Sequence, residues 1–362
     1  MVLGLLRRHP FVATGLVLGS AVALGRSRES RLDPAGWTPP TAPAMSGALA
    51  ANDELAGLDP VVSVGGPEDV AFDDDGRLYT GAVDGRVYRT ADPVDDSTTD
   101  ATVEVFAHID GRPLGLTFEG DGDDLLVAGE DAGLLSVAPH GEATALATSA
   151  GGQEIAYADD VHVAEDGTVY FTDATVHERF EDELWELRDT GRLLAYHPDT
   201  GETTVELDGL GFANGVVPGP AGDSLLVTET SRYRVTRYWV DGERAGEAEP
   251  FAENLVGFPD NIDVADDGTY WVAIPSLRAD VLDTLHQYPW VVRQLGKLPA
   301  SATEIDVEPY GLVLRLDEDG DVVESLHDPG GDTFGVTSAT THDGALYLGS
   351  LFGSSVRRYP LE

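Results

Sequence analysis

Four short polar groups recur along the sequence, each directly before an apolar run, and they are the residues best placed to do chemistry. They are Glu68-Asp69, Asp159-Asp160, Asn214-Gly215 and Asp260-Asn261. Each is followed by an alternating run, a turn rich in Asp and Gly, and a second apolar run. If the copies are equivalent parts of a ring, their polar side chains converge on its axis. Carboxylate and amide oxygens suit a metal ion, so we predict one ion on this axis that carries the chemistry.

A simpler interpretation exists for any one of these groups. A strand-opening Asp or Asn is most often a turn or cap residue, because its side chain satisfies nearby backbone N–H groups. The coincidence at matching places in four repeats is what favours a metal site. The Asp-Gly pairs at 75–76, 166–167 and 267–268 are hairpin signals, and we assign them no function.

The elements that position the polar groups are short strands arranged in self-similar units. Six units begin near residues 66, 113, 159, 212, 257 and 338. Alternating strands joined by Asp-Gly turns at this spacing are typical of propeller blades. The sequence therefore predicts an all-β fold, a six-bladed β-propeller that spans residues 60–362.

Two stretches interrupt the strand pattern with helix-like spacing. They cover Glu178 to Arg188 and Ala279 to Lys297, and Pro289 should kink or split the second. The interpretation that we favour is a short helical insert packed on the ring. A lid over the central mouth and an apolar patch that touches membrane are the alternatives, and periodicity does not separate them.

The N-terminal residues 1–31 have the pattern of a targeting segment. An apolar run from Phe11 to Gly25 lies between arginines; it is short for a spanning helix but suits a signal sequence. We favour a signal anchor over a cleaved signal peptide, and a frayed N-terminal helix is the third option. The expected location is the cell membrane, or outside the cell after export. Residues 32–59, rich in Pro, Ala, Gly and Ser, are predicted to be a linker.

The composition restricts the partners and the environment. The chain has 362 residues and a formal net charge of −43, so nucleic-acid binding is excluded, because phosphates need a basic surface. Strong self-repulsion destabilises a compact state unless salt screens it, so we expect adaptation to high salt. The chain has no cysteine, which excludes disulfides and thiol catalysis.

Several motifs together resemble the strictosidine synthase-like family. They are FANGV at 212–216, GFPDNI at 257–262, YWVA at 270–273, SLHDP at 325–329 and LYLGSLF at 346–352. The resemblance extends from about residue 65 to 359 and is strongest to the adipocyte plasma membrane-associated branch, whose members have an N-terminal membrane segment. It implies a six-bladed propeller related to gluconolactonases and paraoxonases, with calcium held on the axis by acidic and Asn residues.

The resemblance also implies individual ligands. It assigns metal binding to Glu68, Asp159, Asn214 and Asp260, with Asn261 as an additional ligand. Asp159 stands where the family has Asn, a departure that still offers oxygen. By similarity to gluconolactonases, Asp260 would also help to activate water.

These ligands predict calcium and a hydrolytic reaction. An irregular set of oxygen ligands suits Ca²⁺ better than Mg²⁺. Three carboxylates around one dication leave a net charge of −1, which favours tight binding but acidifies a bound water less than a neutral site would. We therefore expect a calcium-dependent hydrolase of lactone or ester substrates in which the ion polarises a carbonyl oxygen. The alternative is a non-catalytic propeller that binds a small molecule or partner around a structural calcium.

Two departures from related propellers limit the chemistry. The paraoxonase-like His of the second blade aligns with Leu114, and the catalytic Glu of true strictosidine synthases falls near Thr337. Both losses argue against those two mechanisms. His162 follows Asp159-Asp160 and could point inward, but a core or surface role is favoured over a catalytic one.

Overall fold

A computed structural model describes residues 29–118, 124–305 and 307–361, and the statements below concern these ranges. They form six four-stranded antiparallel sheets and one small hairpin. The first strand of each sheet contacts the first strand of the next, and the sixth contacts the first, so the ring is closed. The predicted six-bladed β-propeller is confirmed. Residues 1–28 of the targeting segment that is predicted over residues 1–31 lie outside the described residues.

Each blade is built from four consecutive strands, the first of which lies innermost. The first blade has β2 (Val70–Phe72), β3 (Leu78–Gly81), β4 (Arg86–Thr90) and β5 (Val103–His108). The second has β6 (Pro113–Phe118), β7 (Leu125–Gly129), β8 (Gly133–Val137) and β9 (Ala143–Ala147). The third has β12 (Ala158–Val163), β13 (Val169–Asp173), β14 (Gly191–His197) and β15 (Glu202–Leu210). A hairpin of β10 (Ser149–Ala150) and β11 (Gln153–Glu154) separates the second and third blades.

The remaining blades follow the same order, except that the last is closed by the N-terminal strand. The fourth has β16 (Ala213–Pro218), β17 (Ser224–Glu229), β18 (Arg234–Trp239) and β19 (Ala248–Ala252). The fifth has β20 (Ile262–Val264), β21 (Tyr270–Ala273), β22 (Gly311–Leu316) and β23 (Val322–Asp328). The sixth has β24 (Val336–His342), β25 (Ala345–Ser350) and β26 (Val356–Pro360), and β1 (Pro60–Val62) pairs with β26 as its outer strand. This pairing joins the two ends of the propeller.

The core consists of apolar layers between neighbouring blades. Six clusters of buried side chains each combine residues of two adjacent blades, including the layer that joins the sixth blade to the first. Second strands such as Leu125–Gly129 are buried on both faces for that reason. Burial of apolar area on both sides of every blade is the main stabilising contribution to such a ring.

A helical cap covers one face of the ring. It contains α1 (Phe180–Glu186) in the loop between β13 and β14, and α2 (Asp280–His286) and α3 (Pro289–Leu295) in the loop between β21 and β22. Pro289 opens α3, so the predicted split of the second helical stretch is confirmed. Three short 3₁₀ helices cover Gly47–Leu49, Thr230–Arg232 and Ala300–Ala302.

Residues 32–59, which composition assigns to a linker, have little regular secondary structure but lie packed against the propeller. Leu32 enters the core of the cap and Leu55 enters the layer between the fifth and sixth blades, where they are 1% and 0% exposed. Along the way the backbone N–H of Trp37 donates to the carbonyl of His286 at 3.0 Å. The division of the chain at residues 31 and 59 stays a prediction. In the described part of the chain, no helix is long and apolar enough to cross a bilayer.

Candidate metal centre

The polar residues singled out in the sequence meet on the axis of the ring. Asp159 and Asn214 lie at the start of the innermost strands β12 and β16, and Glu68 and Asp260 stand just before β2 and β20. One oxygen each from Glu68, Asp159 and Asp260 lies within 4.8 Å of the other two. All four side chains are buried. The structure therefore brings the predicted ligands together from four different blades.

Local irregularity in the strands turns these side chains toward the axis. The pairing of β12 with β13 shifts register between Ala158 and Val161, and β16 with β17 shifts between Ala213 and Val216. A bulge of this kind re-aims side chains at the end of a strand. The neighbouring blade comes close here: a Cβ on Gly215 would lie 2.6 Å from the backbone nitrogen of Ile262. Glycine after Asn214 thus allows the fourth and fifth blades to meet at the site.

Several oxygens at the centre have no hydrogen-bond partner. They are Glu68 Oε2, Asn214 Oδ1 and Asn261 Oδ1. The amide of Asn261 donates through Nδ2 to Glu68 Oε1 at 3.1 Å, and Asn214 hydrogen-bonds to Asp260, so each amide leaves its oxygen free. Buried polar atoms are normally satisfied. Free oxygens beside three carboxylates fit a hard cation such as Ca²⁺, which takes oxygen ligands.

The carboxylates of the cluster repel one another. Burial, followed by repulsion from Asp260, raises the pKa of Glu68 and of Asp159 well above their ordinary values. Burial also raises the pKa of Asp260 to about 7, although the hydrogen bond from Asn214 acts in the opposite direction and lowers this pKa. Like charges in a desolvated site cannot all ionise without a counter-charge. A cation would supply that counter-charge.

A second set of aspartates follows the predicted ligands along the chain: Asp69 stands just before β2, and Asp160 and Asp263 lie in β12 and β20. The carboxylates of Asp69, Asp160 and Asp263 accept hydrogen bonds from backbone N–H groups of the following blade: Leu116 at 2.9 Å, Val216 at 2.7 Å and Thr341 at 2.7 Å. Each bond joins an odd-numbered blade to the next one. These aspartates therefore fasten neighbouring blades together below the predicted site.

An apolar pocket lies over the ligand cluster and has a volume of about 720 Å³, including its open mouth. Glu68, Asp159, Asn214 and Asp260 line its floor. Its walls are largely aromatic and aliphatic, and include Leu114, Tyr157, Phe180, Leu184, Phe212, Phe258, Ile305, Val307, Leu351 and Phe352. An apolar pocket with a few convergent polar groups is the usual form of a small-molecule site.

The other residues singled out in the sequence lie in different places. Leu114 lines the pocket wall. Thr337 donates its hydroxyl to the carbonyl of Glu68 at 2.8 Å, so it supports the backbone of a site residue. His162 lines a separate cavity with Asp69 and Asp160, and burial lowers its pKa to about 4. Asn261 lines that lower cavity as well.

Comparisons with known proteins agree with this architecture. Residues 74–282 match the family described as SMP-30/Gluconolactonase/LRE-like region, and residues 47–90 match the strictosidine synthase-like N-terminal family. The chain is 34% identical over 375 residues to an adipocyte plasma membrane-associated protein of Gallus gallus, covering 96% of this chain and 87% of that protein. It belongs to the strictosidine synthase-like family. A strictosidine synthase-like protein of Arabidopsis thaliana, strictosidine synthase-like 13, is 36% identical over 303 residues, 75% of this chain and 74% of the relative.

Solved structures show the same fold at low identity. A gluconolactonase from Xanthomonas campestris superposes with a TM-score of 0.60 at 16% identity, over 93% of this chain and 99% of that one. Regucalcin from Agrobacterium tumefaciens, described as a calcium-binding protein, gives 0.53 at 16% identity, over 82% of this chain and 85% of that one. This strictosidine synthase-like chain therefore shares its propeller with both.

The sequence did not predict most walls of the pocket, nor that the lower aspartates join neighbouring blades instead of facing the ion. Phe180 and Leu184 come from the cap helix α1, and their position over the axis depends on how the insert packs. Asp69 and Asp160 directly follow predicted ligands. Because successive side chains of a strand point in opposite directions, their positions could have indicated that they face away from the ion. Asp263 has no comparable signal.

Proposed function

We propose that this strictosidine synthase-like chain is a calcium-dependent hydrolase of lactone or ester bonds. The observation that carries the proposal is the convergence of three buried carboxylates and two free amide oxygens near the floor of an apolar pocket. Glu68, Asp159, Asn214 and Asp260 would hold the ion, with Asn261 as the additional ligand. When bound, Ca²⁺ would polarise the carbonyl oxygen of the substrate.

The chain's own residues would position the substrate and move the proton. The apolar walls exclude bulk water and orient the carbonyl toward the pocket floor. Asp260 lines that floor, and its carboxylate takes a proton as water adds to the carbonyl carbon. The C–O bond of the ester or lactone then breaks, and the proton passes to the leaving oxygen.

The pocket walls favour apolar substrates over polyhydroxylated ones. Phe212, Phe258 and Leu351 offer no hydrogen-bond partners through their side chains, and Phe180 and Leu184 of the cap add further apolar lining. A sugar lactone would lose its hydration there without replacement bonds, which costs free energy for each buried hydroxyl. An aryl ester or an alkyl-substituted lactone would instead gain from burial.

A specific observation supports the second candidate, a propeller that binds a ligand without converting it. None of the described residues that line the pocket is a histidine, so Asp260 would be the proton acceptor while also holding calcium. A binding protein needs no such acceptor. In that case the calcium would only hold the blades together.

Turnover by the full chain in molar KCl would separate the two candidates. We expect calcium-dependent hydrolysis of aryl esters and apolar lactones, and a loss of about 100-fold or more in kcat for Asp260→Asn. The matched control is Asp263→Asn, since Asp263 is half-buried and its carboxylate accepts hydrogen bonds from Thr341 below the pocket, away from the ligand cluster. Activity that survives both chelation and Asp260→Asn would refute the mechanism. A loss of stability on chelation without any calcium-dependent turnover would favour the binding propeller.

We further infer that the N-terminal segment holds the propeller at the cell membrane. The relatives in Gallus gallus and Rattus norvegicus are named plasma membrane-associated proteins, and residues 11–25 of this chain form an apolar run. Export after cleavage is the alternative. Membrane sedimentation in molar salt should retain the full chain and lose a chain that begins at Ser30. Equal retention of both would remove the anchor role from this segment.

A further inference from the structure

Large apolar side chains are exposed on the face of the ring at which the pocket opens. Val83, Val176, Tyr288, Trp290 and Phe352 are all exposed. Each lies in a loop between the second and third strands of a blade, and these loops surround the face on which the innermost strands begin. We name these five residues the apolar collar. Exposed apolar side chains grouped on one face of a soluble protein point to an interaction site.

Other exposed large apolar residues provide a contrast. Val105 and Val323, 45% and 49% exposed, belong to the outermost strands β5 and β23, on the circumference of the ring. They belong to two different blades, and single exposed apolar residues of this kind are ordinary for a soluble protein. Among the residues that the structure describes, the mouth face alone carries exposed large apolar side chains from four blades.

The tip of the cap has the composition of a bilayer interface. Leu282 of α2 and Val292 of α3 are buried in the cap. Tyr288 lies between the two helices and Trp290 lies in the first turn of α3, and these two side chains are 48% and 61% exposed. Tyr and Trp are enriched where membranes meet water. Residues 279–297 hold two acidic and two basic residues and are neutral overall, in a chain of net charge −43. This tip can thus approach a surface without the repulsion that the rest of the molecule experiences.

The N-terminal apolar run reaches the described structure at this same cap. The backbone N–H of Arg31 donates to the carbonyl of Gly296 at 3.1 Å, just after α3. Only residues 26–29 separate the apolar run 11–25 from Ser30. Four extended residues span at most about 14 Å. The surface that receives the end of the apolar run at Gly25 must therefore lie within about this distance of Ser30 at the cap.

We propose that the apolar collar rests on a lipid bilayer, so that the mouth of the pocket opens toward the membrane. The N-terminal run holds the cap at the bilayer, and the collar inserts its side chains at the level of the headgroups. An apolar molecule dissolved in the bilayer then enters the pocket without crossing water. This orientation does not depend on whether the pocket catalyses a reaction.

The absence of cysteine from the chain permits a direct test by site-specific labelling. Single variants Val83→Cys and Val176→Cys place a nitroxide on the collar, and Val105→Cys and Val323→Cys place it on the circumference. The full chain is reconstituted in phosphatidylcholine vesicles in molar KCl. The accessibility of each label to oxygen, which concentrates in lipid, is compared with its accessibility to a water-soluble nickel chelate.

We expect the ratio of oxygen to nickel accessibility to be several-fold higher at the collar positions than at the circumference. Equal ratios at all four positions would overturn the proposal. A higher ratio at Val105→Cys and Val323→Cys would also overturn it, since another face would then meet the lipid. Substituting both Tyr288 and Trp290 with Ser should lower the ratio at Val176→Cys, while the pair Val105→Ser and Val323→Ser should not.

Measurements without vesicles identify the competing occupants. If the collar labels are already shielded from nickel in detergent-free buffer, protein covers the collar and the proposal fails. Shielding that disappears on dilution would assign the collar to a second copy of the chain. Shielding that persists on dilution but disappears when residues 1–28 are removed would assign it to the chain's own N-terminal run. Labels that are open to nickel until vesicles are added support the bilayer.

Discussion

At the scale of single residues, Asp260 couples the candidate site to pH. Burial raises the pKa of this carboxyl to about 7, compared with 3.8 in an unfolded chain. In the metal-free protein the folded state therefore holds more protons than the unfolded state between these values. The free energy of unfolding must then fall as pH rises through this interval, since the proton is lost from the folded state near pH 7.

Thermal unfolding in chelator should show this directly: the midpoint at pH 5.5 should exceed the midpoint at pH 8. Calcium should reverse the order, because the ion replaces the proton and binds more tightly as pH rises. Calorimetric titration with calcium at the two pH values provides the second measurement. Calcium affinity that does not change between pH 5.5 and 8 would contradict a site built on Asp260.

Asp159 allows the metal role to be separated from a structural role. Its pKa is raised well above the ordinary value by burial and by repulsion from Asp260, so it destabilises the metal-free fold when ionised. We expect Asp159→Asn to weaken calcium binding about tenfold or more, because a carboxylate ligand is lost. In chelator the variant should unfold at the same temperature as the parent or higher.

The control for this prediction is Asp173→Asn. Asp173 accepts backbone N–H groups of Ala156 and Tyr157 at 3.1 and 2.9 Å and pairs with Arg192, as a structural carboxylate does. Its substitution should cost about 1–3 kcal/mol with or without calcium. A similar calcium-independent loss for Asp159→Asn would mean that Asp159 is a turn residue.

At the scale of elements, the stretch 32–59 can be tested as a structural strap. Leu55 is fully buried between the fifth and sixth blades, and its N–H donates to the carbonyl of His327 at 2.9 Å. Leu55→Ala should lower the free energy of unfolding by about 2–4 kcal/mol, the range for a buried leucine. The matched control is Met45→Ala, which alters an exposed residue of the same stretch. Equal, negligible effects of both would show that the stretch is a free linker in solution.

The blades could be predicted because their signals are local. Gly76, Gly167 and Gly268 follow Asp in the predicted hairpin turns, and their φ angles of 80°, 84° and 83° are the ones that favour glycine. The pairing of β1 with β26 has no local signal, since its partners are almost 300 residues apart and only ring closure brings them together. Each short strand with its own turn can thus be predicted from local sequence, but the pairing that closes the ring cannot.

The ligand residues of the candidate site could also be predicted from the repeats. Glu68, Asp159 and Asp260 each stand at the same place in a repeat, so equivalence of the repeats implies their convergence. The apolar walls were not predictable. Phe180 and Leu184 belong to an insert whose periodicity indicates a helix but does not indicate which part of the ring the helix covers. Tertiary packing of Leu32, Trp185 and their neighbours in the cap fixes that position.

At the scale of the whole molecule, the net charge of −43 dominates the response to salt. Most of the described arginines pair with nearby acids, as Arg244 does with Glu247 and Glu249, but acids outnumber bases almost three to one. Unpaired carboxylates repel one another over about 10 Å in 0.1 M salt and over about 3 Å in 1 M salt. Screening should therefore stabilise the fold more than it weakens the surface ion pairs.

We expect the unfolding temperature to rise steadily between 0.1 M and 2 M KCl, with calcium held at a constant saturating level so that the central site does not change. NaCl should act as KCl does, because screening depends on ionic strength rather than on the identity of the cation. A neutral osmolyte at equal osmolality serves as the control, since it stabilises compact states without screening charge. Full stability in dilute buffer, or an equal effect of the osmolyte, would show that self-repulsion does not limit this fold. A rise specific to salt would mean that the acidic surface requires a high-salt medium, and that the calcium site and the propeller must be assayed there.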